Sequence, residues 1–217
     1  MTKVIHETVA YMPKNAERES ANRERTMSER EIDYSNYCRL VDSLLSIQRR
    51  YQLFLWCRGE LQTFLPHATL LCATGDLTRS GFRLERLSEY PANADYGYRA
   101  DAAFHVFLSR LLSAWRHNGH APVVLAAHDC DDEPGLALDG ELAAIGLRDC
   151  SAHGLLDHEH GIGAFFLFLD GLCEPRRLRA HRLALLVPHL CAVVHRIAHA
   201  ERVASMNLAE EPLLSKR

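Results

Sequence analysis

The sequence predicts an α/β fold: an α-β-α sandwich on a mainly antiparallel sheet. Three observations carry that reading. Apolar residues recur with a 3.6-residue period in three separate stretches. Short apolar runs of strand length lie between them. Two of those runs are joined by a turn short enough for a hairpin, which requires antiparallel pairing. The order helix, two strands, helix, strand, two strands, helix gives a small sheet with helices for both faces. Such layouts are typical of small-molecule sensor domains.

Taken in order, residues 1–33 are rich in charge (Arg18, Glu19, Arg23, Glu24, Arg25) and poor in apolar surface. They cannot offset the entropy of ordering and are expected to form a disordered or frayed tail. From Ser35 the apolar positions Leu40, Leu44, Ile47, Tyr51, Phe54, Leu55, Leu61 and Leu65 predict one helix ending at Pro66. Thr69 to Thr74 reads as a buried strand stopped by Gly75-Asp76. Phe82 and Leu84 alternate with Arg83 and Glu85, as in a half-exposed strand, closed by Pro91.

Ala100 to His117 is amphipathic, with Phe104, Phe107, Leu108, Leu111, Leu112 and Trp115 on its core side. Asn118-Gly119 provides its stop. Pro122 to Ala127 is a short strand, followed by an acidic loop from Asp129 to Pro134. Leu142 to Leu147 fits helix or strand. Ser151 to Leu156 and Gly161 to Leu169 are strands joined across Asp157-His158-Glu159-His160. A long helix from Glu174 to Ser205 is apolar almost all round in its middle, more than a surface helix needs. Its residues Leu186, Leu190, Val194 and Ile197 are expected to pair with a twin helix, giving a homodimer. The domain therefore spans 34–205, and 206–217 is expected to be a polar linker.

Composition narrows the function. The 217 residues carry 25 Lys plus Arg against 28 Asp plus Glu, a formal charge of -3, so nothing drives general association with nucleic acid. Seven cysteines are scattered, none in a CxxC, and read as reduced thiols of a cytoplasmic protein. No uninterrupted apolar run approaches the roughly 20 residues of a membrane span, so no membrane partner is expected.

Cys191, His195 and His199 share one helical face, but three ligands spread over two turns cannot converge on one ion. His158 and His160, with Asp157 and Glu159, and with Cys150 and His153 nearby, account equally for a polar hairpin tip and for a divalent ion site. Asp76, Asp129, Asp131, Asp132 and Glu133 read as solvated loop acids, and no spacing singles out a Cys–His nucleophile pair. No catalytic residue, metal or cofactor is expected, and the chain is not expected to be an enzyme. The aromatics Tyr51, Phe54, Trp56, Phe82, Tyr90, Tyr96, Phe104 and Trp115 are candidates for lining an apolar ligand pocket, with plain core as the alternative.

Three segments carry a resemblance. They are Ser46-Ile47-Gln48-Arg49-Arg50-Tyr51 through Leu65-Pro66-His67 to Gly75-Asp76; Ala152-His153-Gly154-Leu155 running into Ala164-Phe165-Phe166-Leu167-Phe168; and Leu186-Val187-Pro188-His189-Leu190 with Val194-His195-Arg196. Together they resemble the sensor region of EpsA-type LuxR-family transcriptional regulators, which accompany exopolysaccharide gene clusters. The final Leu214-Ser215-Lys216-Arg217 is similar to the opening of LuxR-type helix-turn-helix domains.

The resemblance implies a PAS/GAF-like or autoinducer-binding-like dimeric sensor with a small-molecule effector. It implies that DNA is reached only through a helix-turn-helix domain absent from this chain. Ser88 to Tyr96 is similar to the Tyr-Pro stretch of acyl-homoserine lactone receptors. The tryptophan that follows there is missing, and no amide-holding aspartate is assigned. An effector other than a lactone, or none, is therefore implied. A stand-alone PAS/GAF-like sensor acting by protein contact and a His/Cys metal-binding protein remain the alternatives.

Overall fold

The computed structural model describes residues 34–78, 81–89, 102–126, 138–157, 162–171 and 174–214. The expected N-terminal tail and Tyr90 and Tyr96 lie outside them, as do the acidic loop and the tip of the second hairpin. The chain divides into two compact units, Met1–Arg39 and Leu40–Arg217. In the first, residues 34–39 are helical, and the Arg39 guanidinium donates to Asn36 Oδ1 at 3.2 Å. The second unit holds the sheet and its covering helices.

In the second unit residues 40–46 are helical, as α1. After it come α2 (Arg50–Arg58), a single 3-10 turn (Glu60–Thr63), β1 (Thr69–Asp76), β2 (Gly81–Glu89), α3 (Ala102–His117) and β3 (Val123–Ala126). The chain then forms α4 (Asp139–Ala144), β4 (Asp149–Leu156), β5 (Ile162–Leu169) and α5 (Arg176–Leu214). The five strands form one sheet in the order β2-β1-β5-β4-β3, and every pairing is antiparallel. The predicted α/β class and antiparallel sheet are therefore observed.

β5 is central because it is apolar on both faces. Phe165, Leu167 and Leu169 point into a core with Phe104, Phe107, Leu108, Leu111 and Trp115 of α3. Ala164, Phe166 and Phe168, equally buried, take the opposite face by the strand's two-residue alternation. There Cys191 of α5 donates its Sγ–H to the Ala164 carbonyl at 3.8 Å. Trp115 anchors the first face: its ring lies 5.0 Å from that of Phe165, and Nε1–H donates to the His120 carbonyl at 3.0 Å.

Two helix boundaries differ from expectation. The single helix expected from Ser35 to Leu65 breaks after residue 46. Arg49 turns extended (φ -130°, ψ 150°), and the Gln52 carboxamide oxygen accepts from the Arg49 and Gln48 backbone N–H groups at 2.9 and 3.0 Å. That side chain replaces the helical acceptors and starts a new helix. Gly59 then ends α2 with a non-helical φ of -108° and ψ of -93°. At the other end, α5 runs to Leu214, so part of the expected linker is helical. Within Arg176–Asn207 an 18-residue stretch has a mean hydropathy of 1.5, so this helix is long and apolar enough to cross a membrane by length and composition alone. In the fold its Leu183, Leu186, Val187 and Leu190 are buried in the core.

Gly163 faces Gly75 in register between β5 and β1. A Cβ at Gly163 would lie 2.2 Å from the Leu155 carbonyl oxygen and 3.0 Å from a Leu77 methyl. The Leu155 carbonyl is fixed in the β4–β5 pairing and Leu77 is buried, so Gly163→Ala is expected to cost about 3 kcal/mol in urea denaturation. An unchanged midpoint would contradict the close approach of β4 to β5 at Gly163.

Candidate functional site

The described members of the expected pocket set fall into two groups. Phe104 and Trp115 are buried in the α3-side core, and Phe82 packs half-buried against it. Tyr51, Phe54 and Trp56 belong to α2. Glu85 of β2, which pairs with Arg50 at the start of α2, lies on the face opposite Phe82 and Leu84. Tyr51 is 58% exposed, Phe54 is exposed with the Arg58 guanidinium 5.4 Å over its ring, and Trp56 is buried with Nε1–H donating to Ser43 Oγ. Strand alternation thus divides the described members of the set between two faces of the sheet.

The expected interface residues also need correction. Leu186, Leu190 and Ile197 are buried inside this chain, and Val194 is half-buried. Side chains already spent on the core cannot offer the same surface to a twin. One position away, Leu178, Leu185, Ala192 and His199 recur every seven residues along the outer side of α5, and Met206, next in the series, stands exposed at the rim of a groove described below. Of these, Leu178 and Met206 are 37% and 66% exposed.

Among the described residues no three His, Cys, Asp or Glu side chains converge on a metal position. Cys191 is buried against β5 whereas His195 and His199 point outward. Cys150 lies in the α3-side core, and His153 on the other face of β4. Asp76 caps the β1–β2 turn, its Oδ1 accepting from the Thr78 N–H and hydroxyl at 2.9 and 2.6 Å. His158, His160 and the acids from Asp129 to Glu133 lie outside the described residues.

Two arrangements escaped the sequence. The first is an open groove of about 930 Å³ between the distal half of α5 and the β1–β2 edge. Val194, Ala198 and Met206 give it an apolar wall, and Arg50, Arg83, Glu85, Glu201 and Arg202 supply its charge. Inside it the Arg50 guanidinium pairs with Glu201 at 2.7 Å and also with Glu85. Groups 35 and 151 residues apart in sequence meet here, which local pattern does not reveal.

The second arrangement is buried polar machinery beside α5. Arg179, 3% exposed, donates from Nε to Ser151 Oγ at 2.9 Å and from Nη2 to the Pro66 carbonyl at 2.8 Å. Its Nη1 faces Glu174 Oε2 at 3.6 Å. His67 is buried with Nδ1 against the Leu65 carbonyl at 2.7 Å and Nε2 against Ser88 Oγ at 2.8 Å. A carbonyl accepts only, so Nδ1 carries the proton and the Ser88 hydroxyl donates to Nε2. The ring is neutral. Burial pulls its pKa down to about 4, the Leu65 carbonyl works the other way, and Arg179 adds to the lowering. His153 is likewise lowered to about 4 by burial and by His120, and its Nδ1 has no hydrogen-bond partner.

Burial pushes the Cys57, Cys72 and Cys150 thiols well up, and that of Cys191 to about 12. These groups are not thiolate nucleophiles at neutral pH. The geometry offers binding surface rather than a poised nucleophile–base pair.

No protein-family model matches the sequence, and no curated protein does. Among solved structures the chain is similar to the phycocyanobilin-bound GAF domain of a cyanobacterial phytochrome. The identity is 9%, the match covers 78% of this chain and 96% of that one, and the TM-score is 0.50. It is also similar to the N-acylhomoserine lactone dependent LuxR family transcription factor CepR2 from Burkholderia cenocepacia, at 17% identity over 82% and 99% of the two chains, with a TM-score of 0.42. Escherichia coli SdiA gives 10% identity over 76% and 68%, with a TM-score of 0.44. At 9% identity the likeness to the GAF domain is one of fold alone.

Proposed function

We propose that the chain is the effector-sensing, dimerising domain of a LuxR-type transcriptional regulator, working in the cytoplasm on exopolysaccharide genes. The observation that carries this reading is the topology. A five-stranded antiparallel sheet is covered by helices, and one of them, α5, continues past the core as an exposed rod. Such a rod is suited to carry a change in the core outward. The resemblance of Ser46–Asp76, Ala152–Phe168 and Leu186–Arg196 to EpsA-type regulators supports the LuxR assignment. The likeness to a GAF domain supports the sensor fold. It also favours a second reading, a stand-alone GAF-like sensor that signals by protein contact.

Catalysis forms no part of the proposal. Buried thiols held protonated and buried imidazoles held neutral without a carboxylate partner fit a packed sensor core. With a formal charge of -3, specific DNA binding is assigned to a separate helix-turn-helix module.

The dimer is assigned to the outer stripe of α5. A seven-residue repeat, apolar here at every position but His199, is the spacing at which two helices keep a seam in register. Sedimentation velocity is expected to give a dimer at micromolar concentration, and Met206→Lys with Leu178→Lys to give a monomer with unchanged circular dichroism. A chain that stays monomeric at high micromolar concentration would contradict the dimerising reading.

A further inference from the structure

From His199 to Asn207 every residue of α5 is exposed. Within one chain no buried apolar contact therefore fixes the direction in which this half of the helix leaves the domain. Two arginines tie α5 to its neighbours just before and within that stretch. Arg196, on α5 itself, donates from Nη2 to the Leu45 and Ile47 carbonyl oxygens at 2.9 and 2.5 Å, closing the end of α1. Arg50, the first residue of α2, reaches across the groove in the other direction.

Its Nε and Nη2 donate to the two carboxylate oxygens of Glu201 at 3.1 and 2.7 Å, and its Nη1 donates to Glu85 on β2. Paired forks of this kind are directional, which a lysine contact is not. An exposed ion pair ordinarily counts for little, but a bidentate arginine shared by two carboxylates is the arrangement in which it counts. The hydrogen bond from Arg50 also holds the Glu201 carboxyl below its usual range, so both partners stay charged.

We infer that Arg50 is a latch that sets the heading of the distal half of α5 relative to β2. Displacement of the β2 edge at Glu85 then reaches the projecting helix through one guanidinium, without passing through the core. The latch goes beyond the sensor reading and does not depend on it.

The test is a distance distribution by pulsed electron spin resonance in the full chain. Labels are placed on non-natural residues at Val106 of α3 and Asn207 of α5, and labelled chain is diluted into unlabelled chain so that only distances within one copy are read. Glu201→Gln and Arg50→Gln are each expected to widen the distribution about twofold, as the helix samples more headings, with the unfolding midpoint unchanged. Arg202→Gln, in the same groove but outside the ion pair, is expected to leave it narrow. Glu201 lies on the surface, so its variant folds. A distribution as narrow in Glu201→Gln as in the unaltered chain, or an equal widening in Arg202→Gln, overturns the latch.

Discussion

Arg179→Met is expected to lower the unfolding free energy by about 3–5 kcal/mol, the loss typical when one partner of a buried charge pair is removed. The guanidinium is almost fully buried and joins three parts of the fold: Ser151 on β4, the Pro66 carbonyl before β1, and Glu174 ahead of α5. Methionine keeps most of the volume but leaves the Pro66 carbonyl and the Ser151 hydroxyl without a donor. It also leaves Glu174 with Arg182 as its remaining cation among the described contacts. Even Arg179→Lys should fail to restore stability, because one ammonium cannot reproduce a planar fork that donates to Ser151 and Pro66 while facing Glu174. Gly171 belongs to the same contact, since a Cβ there would lie 2.7 Å from Arg179 Nη2 and 2.5 Å from the Pro66 oxygen. Urea denaturation of Arg179→Met decides the point. A loss below about 1 kcal/mol would mean that the network is peripheral to stability.

Acid should unfold the domain well before its carboxylates are exhausted. His67 and His153 are both held near pKa 4 in the fold, against an ordinary 6.5. Between these values the unfolded chain binds more protons than the folded one. The stability these groups contribute is therefore full above pH 6.5 and is lost as pH falls toward 4. At 1.36 kcal/mol per unit of pKa, each imidazole is worth about 3 kcal/mol over that range. Asp149 acts in the opposite sense: burial raises its pKa, so the folded state gains slightly as it protonates. The unfolding midpoint should drop steeply from pH 6.5 to pH 4, and His153→Phe, which removes a buried ring nitrogen without a partner, should remove about half of the slope. A midpoint that is flat over this interval, or a slope untouched by His153→Phe, would contradict the burial of these rings.

The strands were legible because β5 and its neighbours show the two signatures a sheet imposes. One is a continuous apolar run where both faces are covered, as at Ala164 to Leu169. The other is alternation where one face meets water, as at Phe82 to Glu85. The break between α1 and α2 was not legible, because Leu44, Ile47, Tyr51 and Leu55 keep a helical period straight through it. What interrupts the helix is a single Gln52 side chain reaching back to the Arg49 and Gln48 N–H groups, half of a capping box that lacks the usual Ser or Asp at its N-cap.

The site was less legible than the fold, for a geometric reason. Aromatic residues close in sequence were expected to share a pocket, but which face of the sheet each element covers depends on long-range pairing. Phe82 and Trp56 are separated in that way. On α5, apolar residues occur both inside and outside, so periodicity alone could not distinguish Leu186, which fills the core, from the neighbouring stripe through Leu178 and Met206. The Arg50–Glu85–Glu201 and Arg179–Ser151–Pro66 contacts join residues distant in the chain and leave no local pattern at all.

The sensing reading rests on the domain holding something. Native mass spectrometry of the chain purified under gentle conditions tests that most directly, since one spectrum reports both assembly and bound mass. The account predicts a dimer that carries an organic molecule, or that takes one up from a cell extract, with no metal increment. A bare monomer that acquires nothing from the extract, or a stoichiometric metal ion in place of an organic ligand, would contradict it.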